Sequence, residues 1–154
     1  MARTTENRDR AAADRVRTRL AAAAAALVVF GAGLGLRAVT TGSVAKYGGD
    51  ALYTVLLLSL VVLVAPRVSP LRAAGSALAV SCMVEFLQLS SVPADLSRRS
   101  TVARLVLGST FNPPDLLWYS VGAAAGWLVH TAAVRSLRGG RGSGKLPLPP
   151  CPSA

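Results

Sequence analysis

Four long apolar runs limit what this chain can fold into. They cover about residues 20–39, 50–66, 71–90 and 115–134, and most charged residues lie between them or at the two ends. A helix of about 20 residues crosses the ~30 Å hydrocarbon core of a bilayer, where a charged side chain is costly. The pattern therefore predicts an all-α, polytopic membrane protein with four transmembrane helices. A signal peptide is an alternative for the first run, but three more apolar runs follow it.

The two ends of the chain are basic. Residues 1–19 contain six arginines, and residues 135–154 are basic and then proline-rich. We expect both segments to be poorly ordered tails around a membrane domain of residues 20–134. Because positive segments stay on the cytoplasmic side, the pattern places both termini in the cytoplasm and the chain in the inner (plasma) membrane. The net charge of +10 also suits nucleic acid, but no recognition motif accompanies it, so we expect no nucleic-acid partner.

After Pro93 the connector between the third and fourth runs is a predicted loop that holds a short apolar segment. Residues 101–108 are mainly apolar apart from Arg104, and they are too few to cross a bilayer. We expect either an interfacial or a re-entrant helix there.

A pair of glycines marks the fourth run. Gly122 and Gly126 are four residues apart, a spacing that lets a neighbouring helix approach closely. The pair predicts tight helix packing and permits self-association of the chain.

Metal-ligating residue types are scarce. Cys82 and Cys151 are the two cysteines, and His130 is the one histidine. Neither cysteine has the spacing of a metal site, and two isolated thiols do not make a disulfide framework. We expect no metal and no cofactor.

Ionisable residues gather near one face of the predicted bundle. With a cytoplasmic N-terminus, the start of the second span, the end of the third and the start of the fourth all lie at the outer face. Ser81, Glu85 and Gln88 are spaced by four and three residues, so they share one helix face. The outer connector carries three arginines, which need acidic partners. We expect these residues to lie together: Asp50, Glu85, Gln88, Asp115 and at least one of Arg98, Arg99 and Arg104, with Arg37 and Lys46 at the same level.

Each of the three acids in this set also has a structural interpretation. Asp50 and Asp115 begin their predicted helices, where an acid can cap the helix or interact with its positive end. Glu85 ends a helix, where an acid is disfavoured. It therefore either forms a structural ion pair with an arginine or takes part in binding or proton transfer.

An ordered set of short motifs resembles that of a known family. A GD pair precedes the second span, E-x-x-Q closes the third, and L-G-x-x-F and D-L-x-x-Y-x-x-G lie around the start of the fourth. The residues are Gly49, Asp50, Glu85, Gln88, Leu107, Gly108, Phe111, Asp115, Leu116, Tyr119 and Gly122. Over residues 20–134 this order resembles the small bacterial membrane proteins of the domain-of-unknown-function family numbered 2809. The resemblance implies a helical membrane fold and a site at these residues, but no reaction.

The pattern is also similar to that of VanZ-like proteins, which pair E-x-x-Q with a later arginine and an aspartate that opens the last helix. That group is linked to the cell envelope and to tolerance of glycopeptide antibiotics. This chain departs from it after Asp115, where LLWYSVG stands in place of an expected N-x-x-G. The link to antibiotics is therefore an analogy.

Three functions fit these observations. The first is a non-enzymatic protein that binds an anionic lipid or a cell-envelope precursor. The second is a small membrane enzyme acting on a lipid-linked substrate, with Glu85 as acid or base and Asp115 as its partner. The third is an oligomeric transporter or channel. The candidate ligand-binding residues are Asp50, Glu85, Gln88, Arg98, Arg99, Arg104, Asp115 and Tyr119.

Overall fold

Helices make up the regular structure of the chain. The computed structural model describes residues 2–90, 92–102 and 111–142. Its helices are α1 (Ala2–Val39), α2 (Gly42–Val64), α3 (Pro70–Leu87), α4 (Val92–Arg99) and α5 (Pro113–Gly142). α2, α3 and α5 pack against one another, while α1 packs mainly on α2. Within the described ranges no strand occurs, which confirms the predicted all-α class.

Local sequence signals set where the long helices stop and start. α1 ends at Val39, and Thr41 is extended before Gly42, whose φ of 65° lies in the region that favours glycine. α3 begins at Pro70 after the extended residue Ser69. Proline suits the first turn of a helix, because an N–H at that position would have no intrahelical partner. The connections at these two points are short, so consecutive helices return alongside each other.

Both predicted tails contain helix. α1 starts at Ala2 and therefore includes most of the basic N-terminal segment. Its alanines favour a helix, and Arg10 pairs with Glu6 one turn earlier. At the other end α5 continues to Gly142, so residues 135–142 are helical as well. Residues 143–154 of the predicted C-terminal tail lie outside the described residues.

Other boundaries also differ from the predicted ones. α2 begins at Gly42, eight residues before position 50, and α3 ends at Leu87, three residues before position 90. The connector after Pro93, predicted to be a loop, contains α4. Six residues of the predicted interfacial or re-entrant helix, 103–108, lie outside the described residues.

Several helices are suited to a membrane. Among the described residues, three helical segments are long and apolar enough to cross one: Glu6–Val39, Gly42–Val64 and Pro70–Leu87. Leu27, Val28 and Leu71 lie on these segments with most of their surface exposed, which water would disfavour and lipid would not. α5 is 30 residues long but less apolar, and it is not among the three.

The interior of the bundle is apolar at one end and polar at the other. A cluster of small and aliphatic side chains fills the apolar end: Ala22, Leu58, Val62, Ala73, Ala74 and Ala77. At the other end, the largest fully buried side chains are Glu85, Thr54 and Ser81. A buried polar group costs free energy unless it is hydrogen-bonded. The polar end is therefore the part of the fold that packing alone does not explain.

The glycine pair of α5 is used inside the chain. A Cβ added to Gly122 would lie 2.2 Å from the carbonyl oxygen of Ala51, and one added to Gly126 would lie 2.7 Å from Leu58 Cδ1. Both glycines therefore let α2 approach α5, as their spacing predicted. Since α2 covers this surface, a second copy could use it only if α2 moved away. Self-association of the chain stays a prediction.

Candidate functional site

Glu85 holds the polar end of the bundle together. It lies in the last turn of α3 with no exposed surface. Its Oε2 accepts a hydrogen bond from the Tyr119 hydroxyl at 3.1 Å, and its Oε1 accepts one from the main-chain N–H of Asn112 at 2.5 Å. Tyr119 lies in α5, and Asn112 immediately precedes that helix. Among the described residues, Glu85 is thus bound by a hydroxyl and a main-chain amide.

Asp115 connects the start of α5 to α2. It lies in the first turn of α5, where an acid interacts favourably with the positive end of the helix. Lys46 Nζ of α2 lies 2.9 Å from its Oδ1, and the Asn112 side-chain amide donates to the same oxygen. The Asp115 side chain is only 7% exposed and that of Lys46 is 44% exposed. Lys46 therefore reaches from the surface to a buried carboxylate.

Asp50 is the third acid at this end of the bundle. It lies on α2 and is partly buried. Its Oδ2 atom is buried and has no hydrogen-bond partner in the part of the chain that the structure describes. The charges of Asp115, Glu85, Lys46 and Arg37 all act on it. We call Asp50, Glu85 and Asp115 the acid cluster.

A second cation lies beside the acid cluster. The guanidinium of Arg37 lies near Gly49, since a Cβ built there would be 3.6 Å from its Nε and Nη2 atoms. Both Arg37 and Lys46 are exposed residues. Two exposed cationic side chains, those of Arg37 and Lys46, thus lie beside the acid cluster.

Two buried hydroxyls close the acid cluster on its inner side. Thr54 and Ser81 have no exposed surface, and their hydroxyl oxygens lie 3.0 Å apart. The Thr54 hydroxyl also donates to the main-chain carbonyl of Asp50 at 3.4 Å. One turn further along α2 the buried residues are Leu58, which belongs to the apolar cluster, and Ser59, whose hydroxyl donates to the carbonyl of Val55. The apolar cluster therefore begins one turn below the two hydroxyls.

Aromatic rings frame the same end. Tyr47 of α2 stacks on Trp118 of α5 with ring centroids 5.6 Å apart. Tyr53 lies against Tyr119 at 6.4 Å. Tyrosine and tryptophan are typical of the zone where a membrane meets water, because each has an apolar body and a polar group. The acid cluster therefore has the surroundings expected at a membrane surface.

Two of the predicted arginines, Arg98 and Arg99, lie away from this arrangement in the described part of the chain. Arg98 is exposed and pairs with Asp95 on its own helix, and Arg99 is exposed as well. Among the described residues neither contacts the acid cluster, so the expectation that at least one of the three arginines joins it now depends on Arg104 and stays a prediction. The physical reason for the position of Arg98 is α4. Residues three apart are neighbours on a helix surface, so Arg98 pairs with Asp95 on the same helix. Arg104 lies outside the described residues.

The remaining predicted residues lie where expected. Gln88 follows α3 as its C-terminal cap and is partly buried near Glu85. Tyr119 is 5% exposed and contacts Glu85 directly. The structure thus brings Asp50, Glu85 and Asp115 to one end of the bundle, while their assignment as a binding site stays a prediction.

Two contributors were not among the predicted site residues. Asn112 supplies a main-chain donor and a side-chain donor to the acids. Lys46 was predicted only to lie at the same level as the acids, and it pairs with Asp115. The N-P-P sequence before α5 was the available signal, because asparagine is a favoured residue just before a helix. Among the described residues, no three His, Cys, Asp or Glu side chains are arranged so that they could hold one metal ion.

These features define an all-helical protein with membrane-spanning segments and a buried, one-sided ionisable cluster. The chain belongs to a family of proteins of unknown function, DUF2809, whose model matches residues 39–123. The match confirms the resemblance drawn from the motifs, and it includes every described residue of the acid cluster. Neither a curated protein nor a solved structure matches the chain.

Proposed function

We propose that the chain crosses the plasma membrane four times, with both termini in the cytoplasm and the acid cluster at the outer face. α5 supplies the fourth span, since 30 residues at 1.5 Å each give about 45 Å of helix. The two ends of the bundle differ in charge. Described residues at the end opposite the acid cluster include eight arginines and three acids: Arg8, Arg10, Arg15, Arg17, Arg19, Arg67, Arg72 and Arg135, with Glu6, Asp9 and Asp14. Such an excess favours the cytoplasmic side.

Single cysteines in a cysteine-free background test this topology. We expect an impermeant thiol reagent, added to intact cells, to label Ser100→Cys but not Ser69→Cys. Permeabilising the cells should expose the second position. Labelling of Ser69→Cys in intact cells would contradict the proposed orientation.

The acid cluster is best suited to bind the polar head of a membrane amphiphile that carries a phosphate and a hydrogen-bond donor. The observation that carries this proposal is the buried Oδ2 of Asp50, which has no hydrogen-bond partner among the described residues, beside two exposed cations. An unsatisfied buried acceptor costs about 1–3 kcal/mol. An amine or hydroxyl of the head group would satisfy Asp50, while Lys46 and Arg37 would meet its phosphate. A lipid or a lipid-linked envelope precursor has this chemistry.

Binding fits the geometry better than acid–base catalysis by Glu85. A general acid or base must come within hydrogen-bond reach of a substrate atom. Glu85 has no exposed surface, and both of its oxygens already accept hydrogen bonds. Its role is to hold α3 against α5. A transporter would also need a route past the apolar cluster that lies below Thr54 and Ser81.

Lipid that co-purifies with the protein tests the proposal. We expect mass spectrometry of the wild-type protein to detect a bound phosphate-bearing lipid, and Asp50→Ala to lose most of it. Asp95→Ala is the matched control, because Asp95 is an exposed acid on α4 and should leave the bound lipid unchanged. If Asp50→Ala keeps the same lipid in the same amount while remaining folded, the acid cluster is not its binding site.

A further inference from the structure

A cleft lies at the opposite end of the bundle from the acid cluster. It is formed where α1 passes the turn between α2 and α3, and its volume is about 170 Å³. Its lining residues are Ala11, Asp14, Arg15, Thr18, Pro66 and Arg67. We call it the arginine cleft. It places two guanidinium-bearing residues from separate parts of the chain around one open space.

The arginine cleft lies at the level of lipid head groups. Arg15 is five residues before Leu20, where the first apolar run begins, which corresponds to about 7.5 Å along a helix. Arg67 is three residues beyond the end of α2 at Val64. The polar layer on each side of a bilayer is roughly 5–8 Å thick. Both arginines are therefore at the depth where lipid phosphates occur.

The side chains around the arginine cleft are held in place. The Arg15 Nε donates to the carbonyl of Ala11 at 3.1 Å, which keeps its guanidinium against α1 at the cleft. The Thr18 hydroxyl donates to the carbonyl of Asp14 at 2.9 Å. Although Asp14 also lines the cleft, arginines outnumber acids there by two to one. A guanidinium whose orientation is fixed loses less freedom when it binds an anion.

We propose that the arginine cleft binds a phosphate group, with Arg15 and Arg67 contacting it from opposite sides. Guanidinium groups recognise phosphate oxygens through paired, charge-assisted hydrogen bonds. Arg17 and Arg72 are exposed arginines nearby on α1 and α3 that do not line the cleft. The phosphate would join α1 to the α2–α3 turn, which matters because α1 packs mainly on α2. This inference does not depend on the function of the acid cluster.

Titration of the purified full-length protein tests this site. The probe is a soluble short-chain phosphatidylglycerol, and inorganic phosphate is titrated separately. We expect the double variant Arg15→Gln/Arg67→Gln to bind the lipid about tenfold more weakly, because it loses charge-assisted hydrogen bonds. The matched control Arg17→Gln/Arg72→Gln removes the same charge from outside the cleft and should change the affinity less than twofold.

The outcomes distinguish a lipid head group from a soluble phosphate, and they distinguish both from failure of the proposal. Lipid binding that inorganic phosphate does not displace identifies a lipid head group, and displacement at equal concentration identifies a soluble phosphate. Either result supports a phosphate site when only the cleft variant is affected. Equal weakening by both double variants would show that diffuse charge binds the lipid, and it would overturn the proposal. Arg67→Lys keeps the charge, and its expected severalfold loss tests the guanidinium contact without charge removal.

Discussion

Replacing Gly122 with alanine should separate α2 from α5. The added Cβ would lie 2.2 Å from the carbonyl oxygen of Ala51 and 2.9 Å from its carbonyl carbon. Both atoms belong to the main chain of α2, so no side-chain rotation relieves the contact. The two helices must move apart by roughly 1 Å, and a gap of that size removes a quarter to a half of the dispersion energy of each contact it affects.

The size of the effect follows from two opposing terms. Overpacking of this kind costs about 1–3 kcal/mol. The better helix propensity of alanine offsets about 0.5–1 kcal/mol of that cost. The helices also carry the contacts between Lys46 and Asp115 and between Tyr47 and Trp118, which a separation would strain. We therefore expect Gly122→Ala to lower the free energy of unfolding by about 2 kcal/mol.

Two other glycines provide matched controls. A Cβ at Gly126 would meet only the flexible end of Leu58, at 2.7 Å, so Gly126→Ala should cost less than about 1 kcal/mol. A Cβ at Gly75 would meet nothing within 4 Å. Gly75→Ala should therefore be neutral or stabilise the protein by about 0.5–1 kcal/mol.

Tryptophan fluorescence during denaturant titration in detergent provides the measurement. Both tryptophans, Trp118 and Trp127, lie on α5, so their emission reports on its packing. The expected order of stability is Gly75→Ala, then Gly126→Ala, then Gly122→Ala. If Gly122→Ala is as stable as Gly75→Ala, the close approach of α2 and α5 at Ala51 is refuted.

Two further changes test the acid cluster by the same titration. Glu85→Ala leaves buried donors such as the Tyr119 hydroxyl without an acceptor, so we expect the free energy of unfolding to fall by roughly 2–4 kcal/mol. Glu85→Gln keeps an acceptor oxygen, and its free energy of unfolding should fall by less than half as much. Lys46→Met leaves the buried carboxylate of Asp115 without its cation and should cost about 1–3 kcal/mol, whereas Arg98→Gln breaks an exposed pair and should cost less than about 0.5 kcal/mol. Equal losses for the last two variants would show that burial does not determine the strength of these pairs.

The position of the acids could be predicted because topology determines it. Antiparallel spans bring the start of α2, the end of α3 and the start of α5 to one end, whatever the details of packing. Asp50, Glu85 and Asp115 lie at those points of the sequence, and the structure gathers them. The glycine spacing in α5 was also informative, because it depends only on helix periodicity.

The partners of the acids could not be predicted in the same way. Glu85 accepts a hydrogen bond from the main-chain N–H of Asn112, and every residue except proline has such a donor, so composition gives no signal. Arg98 was assigned to a distant acid because its own connector was expected to be a loop. Once α4 forms, Asp95 is one turn away and the local pair is made instead.

The extent of the N-terminal helix is difficult to predict because the segment is both rich in charge and rich in alanine. Arginines on a tail suggest disorder, yet arginine and alanine both have high helix propensity. α1 also continues without a break from the basic segment into the apolar run. A helix that is already formed beyond residue 20 needs no new nucleus to extend backwards.

The order in which the chain is synthesised has a consequence for its assembly. Lys46 and Glu85 are made before α5, but their partners Asn112, Asp115 and Tyr119 arrive with that last helix. Until α5 enters the membrane, Glu85 has neither of its two donors and carries an uncompensated polar group into an apolar bundle. A chain that ends after α3 is therefore less stable than the complete protein. Membrane quality-control proteases should degrade it faster. The final helix thus both completes the site and ends the interval in which the nascent protein is vulnerable.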